Sequence, residues 1–230
     1  MREEQEAGQC AATLIMGESF GAVVAAAVAL REPSLITGVL LVNSATAYSV
    51  RPALQADARL LCADTLPDFL FPAACFALLG RKTFDIGFVT AAIKDVVVER
   101  QLEKLKESDP ALAEFYIAAL DELTGQLADL PPRDFMSARL GHLEQGCAWV
   151  EPRLASIEVP VLAIAGTADA LLDSDVEARR LQALVGPTRC KVHLVQGAGH
   201  AGCLNQRIDL PRVIADWADE LGIADILRPE

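Results

Sequence analysis

The chain holds 230 residues with a formal net charge of −12 and 52% hydrophobic side chains. That length suits one large domain, or a domain carrying an inserted cap, and the acidity serves solubility. With no basic patch to neutralise phosphates, nucleic acid is excluded as a partner, and the apolar run Ala22 to Leu30 falls well short of the roughly 20 residues that span a bilayer.

In chain order, the opening MREEQEAGQC is acidic. It has neither the apolar core of a signal peptide nor the acid-poor, Arg- and Ser-rich character of a transit peptide. Thr13 to Met16 then reads as a buried strand, followed by a helix from about Ser19 to Arg31 that closes before Pro33. A second strand is expected at Val39 to Val42. The pattern changes from Ser49 to about Ala155. There the Phe-rich, Pro-broken TLPDFLFPAACFALLG precedes two helical stretches, FVTAAIKDVVVERQLEKLKE and SDPALAEFYIAALDEL. Ser108 or Asp109 can cap the last of these, and Pro110 suits its first turn.

Strands resume at Val161 to Ala165 and Lys191 to Val195, with helices at Ser174 to Leu184 and Leu210 to Leu221. The strands are continuous apolar runs rather than alternating ones, which indicates a parallel sheet covered on both faces. The expectation is a partial α/β-hydrolase sheet: core 1–48 with a nucleophile elbow, helical cap 49–155, and core 156–230 carrying acid and base loops. Six cysteines, at 10, 62, 75, 147, 190 and 203, form no CxxC pair and no metal-ligand spacing. They read as reduced thiols of an intracellular compartment, and neither a metal nor a cofactor is expected.

Gly17-Glu18-Ser19-Phe20-Gly21 matches G-x-S-x-G in its required setting, a strand before and a helix after. A serine on so sharp a turn needs a strained backbone. Gly17 and Gly21 are expected to let strand and helix approach without a clash. The Phe20 N–H, at the helix start, can face a developing oxyanion.

A serine hydroxyl also needs a base, and the base needs an orienting acid. Of three histidines, His142 reads as a surface residue of the cap and His193 as a sheet position. His200 ends GAGHAG in a small-residue loop after the last strand, where a base can reach over the sheet. Asp169 is the acid candidate, with Asp173 and Asp175 as competitors. Asp173 or Ser174 is expected to cap the following helix, whereas Asp169 lies nearer the strand end, where ligand-binding loops gather. The order Ser19, Asp169, His200 is that of α/β-hydrolases.

GESFGA, VNSATAYS, LPDFLFPAACFALLG and VPVLAIAGTADALLDSDVEARRL…VHLVQGAGHAG together resemble one group. That group is the plastid esterase/lipase/thioesterase-like acyltransferases, the phytyl ester synthase (diacylglycerol acyltransferase-like) family. The resemblance runs from Thr13 to about Trp217, with VNSATAYS and LPDFLF as its discriminating segments. It implies plastid residence and acyl transfer through Ser19, from a lipid ester or acyl thioester to phytol, diacylglycerol or water. Leu66, Phe69, Leu70, Phe71 and Phe76 would form an acyl-binding or membrane-touching wall, or else core between cap and sheet.

The same resemblance implies strands upstream of the elbow, one loop of which supplies a second oxyanion N–H, and often a downstream acyltransferase domain with a His-x4-Asp signature. Ten residues before Ala11 leave no room for the former, and the latter is absent. The expectation is therefore an N-terminally truncated product. Competing functional expectations are a generic carboxylesterase or lipase, and a non-catalytic remnant that binds lipid or a partner.

Overall fold

The computed structural model describes residues 12–61, 133–169, 171–200 and 208–223, together with short helical pieces between 105 and 118. Its frame is a four-stranded, all-parallel sheet in the order β1 (Leu14–Glu18), β2 (Gly38–Val42), β3 (Val161–Gly166) and β4 (Cys190–Val195). Five longer helices accompany it among the described residues: α1 (Phe20–Arg31), α2 (Pro52–Leu61), α3 (Arg133–Val150), α4 (Ser174–Val185) and α5 (Leu210–Leu221). No described helix is long and apolar enough to cross a membrane.

The side-chain period of two decides which apolar residues go to which face. Val39, Leu41, Val161, Ala163 and Ala165 point to one side, into a cluster with α1, α3 and α4. Leu40, Val42, Leu162 and Ile164 point to the other, where Trp217 of α5 and Val195 complete a smaller cluster. Fully burying each such side chain stabilises by about 1.5–3 kcal/mol, so the two central strands carry much of the core. Both faces being covered is why these strands read as unbroken apolar runs.

Helix α1 is alanine-rich for a packing reason. Ala22, Ala25, Ala26 and Ala29 are all buried in the larger cluster, and α1 contacts both β1 and β2. Helix α3 packs against α1, with Cys147 and Val150 in the same cluster. Helix α5 shows well-encoded ends. The Asp209 carboxylate accepts from the Arg212 N–H, Pro211 sits in the first turn, and Gly222 takes the left-handed conformation (φ +68°) past the last turn.

Element boundaries differ from expectation by a residue or two, with one instructive case. The first strand runs on to Glu18 and the helix begins at Phe20, so Ser19 alone forms the corner. In the region expected to be the cap, the structure describes α2, α3 and turns near 105–118. There Ala113 N–H donates to the Asp109 carbonyl, consistent with helix running on past Pro110. The stretch FVTAAIKDVVVERQLEKLKE up to residue 104 lies outside the described residues.

Candidate active site

At the C-terminal end of β1 the chain turns from strand to helix through one residue. Ser19 has φ +55° and ψ −117°, a conformation that L-residues rarely adopt and that costs of order 1–3 kcal/mol. Three backbone hydrogen bonds hold it there. Its N–H donates to the Val42 carbonyl at 2.9 Å, and its own carbonyl accepts from Ala22 N–H and Ala45 N–H.

The two elbow glycines differ in what they do. A Cβ on Gly17 would lie 2.1 Å from the Gly21 carbonyl oxygen, so a bare α-carbon is obligatory there. A Cβ on Gly21 would meet nothing within 4 Å. The expectation that both glycines relieve a clash is thus corrected: the contact is between the Gly17 α-carbon and the backbone of Gly21, whose own side-chain direction is open. Phe20 supplies the first N–H of α1, one of the four that a helix leaves without an intrahelical acceptor.

Asp169 lies in the turn after β3 and His200 in the loop after β4, both almost fully buried. His200 Nδ1 is 2.8 Å from Asp169 Oδ2. Because an ionised carboxylate only accepts, Nδ1 carries the proton and Nε2 is left as the acceptor. Asp169 is thoroughly solvated by the protein: Oδ1 accepts from the N–H groups of Leu171 and Leu172, and Oδ2 also accepts from the Ser174 hydroxyl. Burial alone would raise this carboxyl. The hydrogen bond and charge of His200, the Ser174 hydroxyl and the Leu172 N–H outweigh that and hold it below the usual carboxylate range.

The two competing acids are elsewhere engaged or placed. Asp173 pairs with Arg51 at the entrance to α2, and its carboxylate is largely exposed. Asp175 falls in the first turn of α4. The expected side-chain cap on α4 is not formed. Asp173 occupies the cap position with φ +44° and makes no side-chain cap bond, and the Ser174 hydroxyl turns back to Asp169 instead. His142 is exposed on α3, and His193 is a half-buried sheet position opposite Ile164, both as expected. The wall residues Leu66, Phe69, Leu70, Phe71 and Phe76 lie outside the described residues.

Sequence reasoning gave two neighbours of the site no role there. Glu18, beside Ser19, has its carboxyl raised, first by desolvation; the His200 charge lowers it and the Asp169 charge raises it. Its position inside the G-x-S-x-G motif was the available signal. The other is the segment after β2. There Thr46 donates its hydroxyl to the buried carboxylate of Glu177, which Arg180 also holds through two nitrogens. An apolar groove of about 590 Å³ also begins at Phe20 and runs between α1 and α3, past Val23, Val24, Gly146 and Trp149 to Arg31.

A parallel sheet with a strained serine corner after one strand, and an acid and a histidine in hydrogen-bond contact after two others, describes an α/β-hydrolase. The model of the alpha/beta hydrolase family matches residues 2–217, and the chain belongs to that family. Among known proteins it is similar to phytyl ester synthase 1, chloroplastic, of Arabidopsis thaliana, at 30% identity over 237 aligned positions. That alignment takes in all of this chain but 32% of the relative, so the chain spans about a third of that protein's length.

Solved structures with the same fold include MGS-M2, an α/β-hydrolase enzyme from a Medee basin deep-sea metagenome library (TM-score 0.55, 18% identity, 96% of this chain and 69% of that one). MenH from S. aureus is comparable (TM-score 0.54, 18% identity, 96% and 73%). So is a monoacylglycerol lipase from Paleococcus ferrophilus (TM-score 0.50, 17% identity, 96% and 72%).

Proposed function

We propose that the chain carries the catalytic machinery of a serine acyltransferase or esterase acting on lipid esters, with Ser19, His200 and Asp169 as nucleophile, base and orienting acid. The observation that carries this reading is the 2.8 Å contact between His200 Nδ1 and Asp169, at the same end of the sheet as the strained Ser19 corner.

In the first half-reaction the Ser19 oxygen attacks the carbonyl carbon of an ester or thioester, and its proton passes to His200 Nε2. Asp169 stabilises the imidazolium and keeps Nδ1–H in place. The carbonyl oxygen takes up negative charge, towards which the Phe20 N–H at the start of α1 is directed as a donor. As the bond to the alcohol or thiol breaks, His200 returns the proton to the leaving group, and an acyl-serine remains. An acceptor alcohol or water then gives its proton to His200 and attacks the acyl carbon, and the same proton restores the Ser19 hydroxyl.

A lipid substrate is supported by the similarity to phytyl ester synthase 1, and an apolar groove between α1 and α3, lined from Phe20 onwards, would suit an acyl chain. Plastid residence is supported by the same relative's chloroplastic description. The choice between alcohol and water as acceptor turns on how well the site excludes water.

Fluorophosphonate labelling tests the reading, because the probe reacts only with a serine activated by its base. The folded chain is expected to label, with the adduct on the peptide containing Ser19 and none in Ser19→Ala. A folded chain that does not label would overturn the assignment.

A further inference from the structure

The motif VNSATAYS, which starts at the last residue of β2, has no part in the reaction as described, yet its asparagine touches the histidine loop. Asn43 is fully buried, and its backbone is left-handed at φ +41°, a region in which asparagine is among the few tolerated side chains. Its backbone N–H, side-chain oxygen and side-chain nitrogen are all engaged across the strand ends. The backbone N–H donates to the Ile164 carbonyl at 2.9 Å. Side-chain Oδ1 accepts from the Gly166 N–H at 2.9 Å, and Nδ2 donates to the His200 carbonyl at 2.6 Å.

The path of the histidine loop explains why such a brace is needed. Strand β4 is two positions from β2 in the sheet, so His200 comes near the elbow only if its loop folds back across the end of β3. It does so in close contact: a Cβ on Gly166 would sit 2.4 Å from the Ala198 carbonyl oxygen and 2.9 Å from that of Gly199. The Ala168 N–H donates to Ala198 O, and the Gly197 N–H to the Thr167 hydroxyl. Asn43 then ties the returning loop at the histidine itself. The preceding residue, Val42, accepts the Ser19 N–H. Two consecutive residues at one strand end therefore hold the backbones of nucleophile and base.

We propose that Asn43 is a positioning residue for His200, fixing the backbone from which the imidazole reaches Asp169 and, in the reaction proposed above, takes the Ser19 proton. This inference rests on the reading of His200 as the base. It goes beyond that reading in giving a buried amide outside the triad control over the base's geometry. Loss of the tie lets the base drift by a fraction of an ångström to an ångström, and a misplacement of that size costs up to about 100-fold in rate.

The test compares Asn43→Ala and Asn43→Gly with the wild-type chain. Both remove the tie to the His200 carbonyl and the acceptor for the Gly166 N–H without adding a charge, and glycine accepts the left-handed backbone at no steric cost. Three quantities are measured: the fluorophosphonate labelling rate across about pH 5 to 8, the downfield Nδ1–H proton resonance of His200, and the melting temperature. Folded variants are expected to label about 10- to 100-fold more slowly, with the labelling midpoint at lower pH and the Nδ1–H resonance weakened or lost. Asp169 supports the imidazolium less once His200 has moved, hence the direction of the midpoint shift.

Variants that label at the wild-type rate with an unchanged midpoint would overturn the proposal. So would the unfolding of both, which would make Asn43 purely a structural brace. If the wild-type chain fails to label but shows an Nδ1–H resonance that the variants lose, the acyl-transfer reading falls while the positioning of His200 stands.

Discussion

The two halves of the site are held by different means. The nucleophile corner is fixed over short range: Gly17 lies against the backbone of Gly21, four residues on, and the Ser19 backbone is bonded to Ala22 and to Val42 and Ala45 at the end of the next strand. The acid–base half is fixed at long range. Asn43 reaches Gly166 and His200 across 123 and 157 residues, Asp169 meets His200 across 31, and Arg51 meets Asp173 across 122. The corner needs only β1, α1 and the neighbouring β2, whereas the acid–base half exists only once the whole sheet has closed. The contrast predicts that lesions at the corner act on the fold, and lesions at the acid–base end act on reactivity.

The largest expected effect on rate lies at the long-range end. Asp169→Asn keeps the shape but presents an amide to Nδ1, favouring the wrong tautomer of His200. Labelling of Ser19 should fall by about 10⁴-fold while circular dichroism still reports a folded chain. Retained labelling would mean that Asp173 or Asp175 serves instead.

The largest expected effect on folding lies at the corner. Gly17→Ala places a methyl 2.1 Å from a backbone oxygen that no side-chain movement can relieve. A loss above about 4 kcal/mol is expected, read by chemical denaturation. A smaller loss would show that the corner can open.

Acid sensitivity separates the halves by sign. Asp169 is held below its ordinary range. Its contribution to stability is therefore complete above the unfolded carboxylate value, about 3.9, and is lost as pH falls through the lower folded value. Glu18 is held above its range, first by desolvation. Glu18 lies exposed at the strand end, so solvent keeps its effect small: a penalty on folding that grows as pH rises from the unfolded value to the higher folded one and is constant above it. Melting temperature against pH should show a flattened acid limb in Asp169→Asn. In Glu18→Gln it should show a modest gain at neutral pH.

The smallest effect is expected at Gly21. Its Cβ direction is open and it lies inside α1, so Gly21→Ala should stabilise by about 0.5–1 kcal/mol through helix propensity. Set beside Gly17→Ala, this pair of substitutions would show that only one glycine of the motif is sterically required.

What was legible in the sequence follows the same division. The elbow, the parallel strands and α5 are encoded within a few residues each, as G-x-S-x-G, unbroken apolar runs, and an Asp–Leu–Pro start with a Gly stop. Asp169 and His200, which the fold brings into contact, could be singled out because a serine needs a base, a base needs an acid, and few residues lay at strand ends. Asn43 was not identifiable, although VNSATAYS stood out, because its function depends on partners more than a hundred residues away. Ser174 read as a helix cap because a serine hydroxyl before a helix commonly bonds its own first turn. A buried carboxylate five residues upstream outcompeted that turn for the hydroxyl.

The most direct test of the central claim is to trap the acyl-serine. The folded chain would be mixed with a p-nitrophenyl ester of a long-chain fatty acid, and both the released p-nitrophenol and the mass of each peptide would be followed. The account predicts a burst of close to one equivalent and an acyl mass on the peptide containing Ser19, both missing from Ser19→Ala. No adduct on a folded chain, or an adduct on any other residue, would contradict it.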